Sequence, residues 1–161
     1  MGLKTVYWDA SVFHALFNKE QGRDQECLRI EKAARDGRID IYTSAVTFVE
    51  CIWLKGSPKL SPKHEEFMQK YFMHKFITVL NCDRLIAESA RSLAWKYPHL
   101  HPKDAIHVAS AISQQVDVLH SYDADDLIKL DGKIGAPPLK ICKPGDEGFD
   151  LSDGLLFQPS K

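Results

Sequence analysis

Short apolar runs alternate with amphipathic segments along most of the chain. Five runs rich in β-branched, aromatic or other apolar residues predict strands, the last of them short: Lys4–Trp8, Ile39–Thr43, Phe76–Leu80, Val116–Ser121 and Leu139–Cys142. Between them, apolar residues recur every three or four positions, which is the spacing of a helix that buries one face. Strands that alternate with helices predict an α/β fold with a mainly parallel sheet of four or five strands, covered by helices on both faces.

Capping residues predict where several helices begin and end. Ser11 is suited to cap the first helix, and a second helix is predicted over about Asp24–Asp36. Asp83 is a good cap for a later helix. Pro102 suits the first turn of another, which places Asp104 near a helix N-terminus.

The segment after the second strand is predicted to form a mostly apolar helix that contains Glu50. Its apolar residues repeat at helical spacing: Val46, Phe48, Val49, Ile52 and Trp53. The turn Gly56-Ser57-Pro58 ends this helix, and an amphipathic helix follows over about Lys63–Met73. Its apolar side is expected in the core, with an interface as the alternative, and consists of Phe67, Met68, Tyr71 and Phe72.

Four acidic residues far apart in the sequence lie beside apolar segments: Asp9, Glu50, Asp104 and Asp123. Asp9 follows a predicted strand and Asp123 lies just beyond another, so both should lie at one edge of a parallel sheet, where such folds bind ligands. Burying ionised carboxylates without partners is costly, but a shared divalent cation offsets that cost. Because Mg²⁺ and Mn²⁺ prefer oxygen ligands, the four acids predict a metal-binding pocket that cuts phosphodiester bonds.

Each of these acids also has a simpler interpretation. Asp9 and Asp123 can begin turns or cap helices, and Asp104 can complement a helix dipole. Glu50 can be the buried partner of a lysine or arginine. His107 lies one helical turn after Asp104 and is expected to be packed or hydrogen-bonded more than to contact the site. Taken jointly, the four acids favour a site.

The composition limits the classes of protein to which this chain can belong. The 161 residues are enough for one domain with a real core, and 44% hydrophobic and 27% charged residues are ordinary for a globular protein. A net charge of −1 argues against a passive nucleic-acid coat protein more than against an enzyme that binds cations. No apolar run approaches a membrane span and no signal-peptide pattern is seen, so a cytoplasmic location is expected. The four cysteines are widely spaced and indicate no zinc site.

Four motifs resemble those of PIN-domain ribonucleases. They are the opening Tyr7-Trp8-Asp9-Ala10-Ser11-Val12-Phe13, the Val49-Glu50-Cys51 that lies where the family has its helix-borne Glu, the Asp104-Ala105 helix that continues to Ala109 and Ala111, and the strand that ends in Ser121-Tyr122-Asp123. Their order and spacing match along about Lys4–Cys142, and the arrangement looks most like VapC-type toxins of toxin–antitoxin pairs. The resemblance implies a three-layer α/β/α PIN-like fold and an endoribonuclease that uses Mg²⁺ or Mn²⁺.

The resemblance and the chemistry together give Asp9, Glu50, Asp104 and Asp123 as the catalytic residues. Asp9 and Asp104 are the strongest candidates for direct metal ligands. Asp123 and Glu50 complete the pocket, either directly or through metal-bound waters. After Asp123 the sequence departs from the usual family ending and adds acids, so Asp126 either assists or replaces Asp123.

Other residues are expected to support this chemistry. Ser11 and Ser121 orient the carboxylates or hold a phosphate. Lys103 either meets a phosphate or is an exposed lysine beside the cleft. We expect a PIN-like catalytic domain over residues 1–143 and a C-terminal tail over residues 144–161 that is loosely packed or bound to a partner.

The implied partners are an RNA substrate, a cognate antitoxin and a second copy of the chain, with no membrane. If an antitoxin operates, a basic side chain of it is expected to reach the acidic pocket and displace the metal. A non-cleaving PIN-like module that binds RNA or protein is the alternative, although retention of all four acids favours the enzyme. A nucleotide-binding fold is disfavoured because neither a P-loop nor a Gly-x-Gly-x-x-Gly run is present.

Overall fold

The computed structural model describes residues 2–52 and 61–151. Trp53 and the predicted turn Gly56-Ser57-Pro58 lie outside these residues. None of the helices in the described part of the chain has both the length and the apolar character needed to cross a membrane.

A five-stranded sheet forms the middle layer, and all of its neighbouring strands are parallel. The strands are β1 Lys4–Trp8, β2 Ile39–Ser44, β3 Ile77–Leu80, β4 Val118–His120 and β5 Lys140–Cys142. Their order is β3-β2-β1-β4-β5, so β1 is central and pairs with both β2 and β4. The chain order reverses at β1, and the carboxyl end of such a strand is where α/β sheets form a ligand crevice.

Within residues 2–52 and 61–151, six α-helices lie on the two faces of the sheet: α1 Ala10–Phe17, α2 Asp24–Arg35, α3 Val46–Glu50, α4 Pro62–Phe72, α5 Arg84–Lys96 and α6 Pro102–Gln114. Alternate residues of a strand point to opposite faces, and the core is split accordingly. Trp8 packs with α1, α2 and α4 in one cluster, while Tyr7 packs with α5 and α6 in the other. The predicted α/β fold with helices on both faces of a parallel sheet is confirmed.

The first and third helices differ from the sequence prediction. Asp9, and not Ser11, is the N-cap of α1, where its side chain accepts a hydrogen bond from the Val12 N–H. Glu50 is the last residue of a five-residue helix instead of lying inside a longer one. β-branched residues such as Val49 have low helix propensity, and a segment of five residues has little helical stability of its own.

The apolar side of α4 lies mainly in the core, as predicted. Met68, Tyr71 and Phe72 are buried, and Phe72 packs against Phe13 with ring centroids 5.0 Å apart. Phe67 is the exception, because about half of it is exposed.

Residues 144–151 lie against the domain. Glu147 is 5% exposed, and one of its carboxylate oxygens accepts a hydrogen bond from Arg29 on α2. The other oxygen accepts from the Gly145 N–H at 2.7 Å and lies 3.3 Å from the His120 Nε2. The division into a domain of residues 1–143 and a tail of residues 144–161 stays a prediction.

Candidate functional site

A pocket of about 490 Å³ lies beyond the carboxyl ends of the central strands. All four acids named from the sequence line it: Asp9, Glu50, Asp104 and Asp123. Asp9 directly follows β1, Glu50 ends α3, Asp104 lies in the first turn of α6, and Asp123 lies three residues after β4. The topology therefore brings four distant segments to one place.

Three carboxylates form a tight cluster at this pocket. Asp104, Asp123 and Asp126 each offer an oxygen, and these oxygens lie within 4.8 Å of one another. The turn after β4 fixes the positions of Asp123 and Asp126. In this turn, Asp123 Oδ1 accepts hydrogen bonds from the N–H groups of Asp125 at 3.1 Å and Asp126 at 2.9 Å. Asp126, which the sequence predicted to assist or replace Asp123, is thus close to both Asp104 and Asp123.

The electrostatics of the cluster reflect crowded negative charge. The pKa of Asp104 is raised to about 6, mainly by burial and also by the charges of Asp9, Asp123 and Glu50, while His107 opposes this rise. A divalent cation among these oxygens would relieve both effects, since it favours the ionised form of its ligands.

Asp9 lines the same pocket but, among the described residues, does not belong to the group of three. It is 4% exposed, and its Oδ1 accepts a short hydrogen bond of 2.5 Å from the Ser11 hydroxyl. Burial raises the pKa of Asp9, against the opposing influence of His107, Ser11 and Ser121. An anion in so dry a position needs these donors or a cation to stay ionised.

Ser11 and Ser121 connect the two central strand ends. The Ser11 hydroxyl accepts a hydrogen bond of 2.9 Å from the Tyr122 N–H while it donates to Asp9. The Ser121 hydroxyl accepts from the Asp123 N–H at 2.9 Å. These contacts fix the turn after β4 relative to the start of α1.

Glu50 is held differently from the other acids. Its Oε2 lies 2.7 Å from the His107 Nε2, and its Oε1 lies 3.2 Å from the Lys103 Nζ. Burial alone would raise the pKa of Glu50, but the hydrogen bonds and charges of His107 and Lys103 outweigh it and lower the pKa. The simpler interpretation of Glu50, as the partner of a basic residue, therefore describes its contacts.

Two of the described histidines border the pocket, and the sequence pattern pointed to only one of them. His107 is 1% exposed and contacts the Tyr7 hydroxyl as well as Glu50, so it is hydrogen-bonded as expected and also reaches the site. His14 was missed; its Nε2 lies 3.1 Å from the Glu50 carbonyl oxygen. Its position three residues after Ser11 in a predicted helix was the available signal, because such residues share a face.

The fold and the pocket define an α/β protein with clustered carboxylates at the switch point of a parallel sheet. The family model of the PIN domain matches residues 6–133. The chain therefore belongs to the PIN domain family. The comparison with curated protein sequences gives no match.

Several solved structures have the same fold at low sequence identity. The toxin VapC20 of Mycobacterium tuberculosis, described as cleaving the sarcin-ricin loop, has a TM-score of 0.60 and 16% identity, and the match covers 74% of this chain and 91% of that one. VapBC2 of Rickettsia felis, bound to a promoter DNA fragment, has a TM-score of 0.59 and 12% identity, with 86% and 97% covered. DNA-bound VapBC of Salmonella typhimurium has a TM-score of 0.58 and 17% identity, with 87% and 97% covered. At these identities the likeness shows the fold.

Proposed function

We propose that this chain is a metal-dependent endoribonuclease that acts as the toxin of a toxin–antitoxin pair. The observation that supports the nuclease most is the cluster of Asp104, Asp123 and Asp126 in a PIN-domain fold, in which Asp104 and Asp123 line the pocket. RNA as substrate and an antitoxin as partner are supported by the likeness to VapC20, described as cleaving the sarcin-ricin loop, and to VapBC complexes.

The residues present fit a hard divalent cation. Three carboxylate oxygens within 4.8 Å of one another can bind a single ion, and oxygen is the donor that Mg²⁺ and Mn²⁺ prefer. We assign Asp104 and Asp123 as ligands, with Asp126 beside them and Asp9 on the β1 side of the pocket. When bound, the ion would act as a Lewis acid that polarises a phosphoryl oxygen and lowers the pKa of a bound water.

The residues of the chain orient this chemistry. Ser11 holds the Asp9 carboxylate through its 2.5 Å hydrogen bond, and Ser121 fixes the backbone of Asp123. Hydrolysis adds the oxygen of water to phosphorus while the bond from phosphorus to the leaving oxygen breaks. One proton of the water is lost and the leaving oxygen gains one, so the two cleaved ends carry a phosphate and a hydroxyl.

We propose that the chain acts in the cytoplasm, that it binds a second copy of itself, and that a cognate antitoxin inhibits it. An antitoxin that inhibits directly would place a basic side chain in the acidic pocket, where the charges of Asp104, Asp123 and Asp126 favour a cation of any kind. Co-expression with the product of the adjacent reading frame should then relieve growth arrest caused by this chain.

The decisive experiment is cleavage of single-stranded and structured RNAs with Mg²⁺ or Mn²⁺, beside the Asp9→Asn variant. Metal-dependent cleavage by the unmodified protein that the variant lacks is the expected result. Equal activity in both would remove the nuclease proposal. RNA binding without cleavage would favour the alternative, a non-cleaving binding module.

A further inference from the structure

A chain of hydrogen bonds runs from the core to the mouth of the pocket. The buried Tyr7 hydroxyl lies 2.8 Å from the His107 Nδ1, and the His107 Nε2 lies 2.7 Å from the Glu50 Oε2. The Glu50 Oε1 in turn lies 3.2 Å from the Lys103 Nζ. Exposure rises along this chain from 0% for Tyr7 and 1% for His107 to 10% for the Glu50 side chain and 55% for that of Lys103. It ends on a cation beside the carboxylate cluster.

The direction of donation is fixed at the Glu50 end of this chain. An ionised carboxylate can only accept a hydrogen bond, so the His107 Nε2 carries a proton and donates it to Glu50. Both carboxylate oxygens of Glu50 then face nitrogen donors, one from His107 and one from Lys103. A metal ion bound to Glu50 would lie close to the Lys103 ammonium, and the repulsion between the two cations disfavours that position. Glu50 is also outside the group of Asp104, Asp123 and Asp126 among the described residues.

Lys103 is placed to bind a phosphate. It precedes Asp104 on α6, and both side chains line the same pocket. A lysine ammonium has three donors, so Nζ can contact Glu50 and an anionic phosphoryl oxygen at the same time. The pocket thus has two sides. The carboxylates on one side suit one metal ion, and on the other side Glu50 holds the Lys103 ammonium.

We propose that Glu50 is not a metal ligand but a positioning residue that holds Lys103 against the scissile phosphate, so that the pocket uses one metal ion and one lysine. This inference rests on the proposed nuclease function. Tyr7 and His107 are positioning residues too, because they act on the phosphate only through Glu50.

Measurements of metal binding distinguish this inference from a site in which all four acids bind the metal. Mn²⁺ binding to the full chain is measured by electron paramagnetic resonance and calorimetry for the unmodified protein, Glu50→Gln and Asp104→Asn. We expect one Mn²⁺ per chain, at most a few-fold weakening in Glu50→Gln, and a loss of at least about tenfold in Asp104→Asn. Glu31→Gln is the matched control, since Glu31 pairs with Arg35 and its side chain is 11% exposed, against 10% for Glu50.

Cleavage kinetics test the role of the lysine. Lys103→Gln should lower kcat/KM by about 100-fold, the scale of losing one donor to a charged reacting group, and Lys103→Arg should restore part of it. Lys63→Gln, at an exposed lysine of α4, should leave cleavage unchanged. His107→Gln presents an amide near the position of Nε2 and should retain more activity than His107→Asn, whose amide lies near Nδ1.

The outcomes distinguish the two proposals. Two Mn²⁺ ions per chain, or metal loss in Glu50→Gln as large as in Asp104→Asn, would overturn this inference while leaving the nuclease intact. Full activity in Lys103→Gln would do the same. Absence of metal-dependent cleavage by the unmodified protein would overturn the proposed function, and with it the assigned role of Lys103.

Discussion

Removing the charge of Glu147 should destabilise the protein in a pH-dependent way. This carboxylate is nearly inaccessible and contacts Arg29, His120 and the Gly145 N–H. Burial would raise the pKa of Glu147, but these contacts outweigh it and lower the pKa from 4.5 to about 2. The charged form is therefore favoured in the folded state, and Glu147→Gln removes that preference.

The size of the effect follows from the lowered pKa. Each tenfold change in proton affinity corresponds to about 1.4 kcal/mol, so the change in pKa from 4.5 to about 2 gives an upper limit between about 3 and 4 kcal/mol at neutral pH. Arg29 is 42% exposed, so solvent screens part of this interaction and we expect about 2 kcal/mol. Because the folded pKa lies below the unfolded one, this stabilisation is full above about pH 4.5 and is lost as the pH falls towards 2.

Urea unfolding followed by tryptophan fluorescence, at several pH values between 3 and 7, measures this effect on the free energy of unfolding. Glu26→Gln is the matched control, because Glu26 also pairs with Arg29, at 2.7 Å, but its side chain is 45% exposed. We expect that control to change stability by less than about 1 kcal/mol. A Glu147→Gln variant as stable as the control, or a deficit that does not shrink at low pH, would refute the reasoning. Loss of stability would also show that residues beyond 143 contribute to the domain.

Three further predictions concern the site and the core. Proton competition at Asp104, whose pKa is raised to about 6, should weaken Mn²⁺ binding as the pH falls from 7.5 to 5, and a titration that shows no such dependence would contradict its assignment as a ligand. Ser11→Ala removes the donor to Asp9 and the acceptor of a backbone N–H, so it should lower stability by about 1 kcal/mol and reduce cleavage, as measured by thermal unfolding and an RNA assay. Phe72→Ala should cost about 3 kcal/mol or more because Phe72 is buried, whereas Phe67→Ala, at a half-exposed residue, should cost much less in the same unfolding experiment.

The sequence by itself determined the elements and the motif positions. Five strands, the cap at Asp83 and the start of α6 at Pro102 were predicted from local pattern, and each is present. These features depend on residues close in sequence, such as a capping side chain and the N–H groups three positions on. Asp9 and Asp123 could likewise be placed at strand ends, since the change from apolar run to polar turn is a local signal.

The short α3 shows where local pattern failed. Apolar spacing after β2 predicted a longer helix, yet the helix ends at Glu50, and Phe48, Val49 and Ile52 are 48%, 71% and 45% exposed. Helical periodicity reports which residues share a face but not whether any neighbour covers that face.

Only the tertiary structure decided which side chains meet in the pocket. That β1 lies between β2 and β4 is a property of the sheet, and it brings Asp9 next to the turn that contains Asp123 and Asp126. The pairing of Glu50 with His107 and Lys103 depends on how the fold brings the first turns of α6 to the end of α3, across more than fifty residues of chain. Distances between remote segments are fixed by strand order and helix packing, and neither is encoded in the periodicity of any one segment.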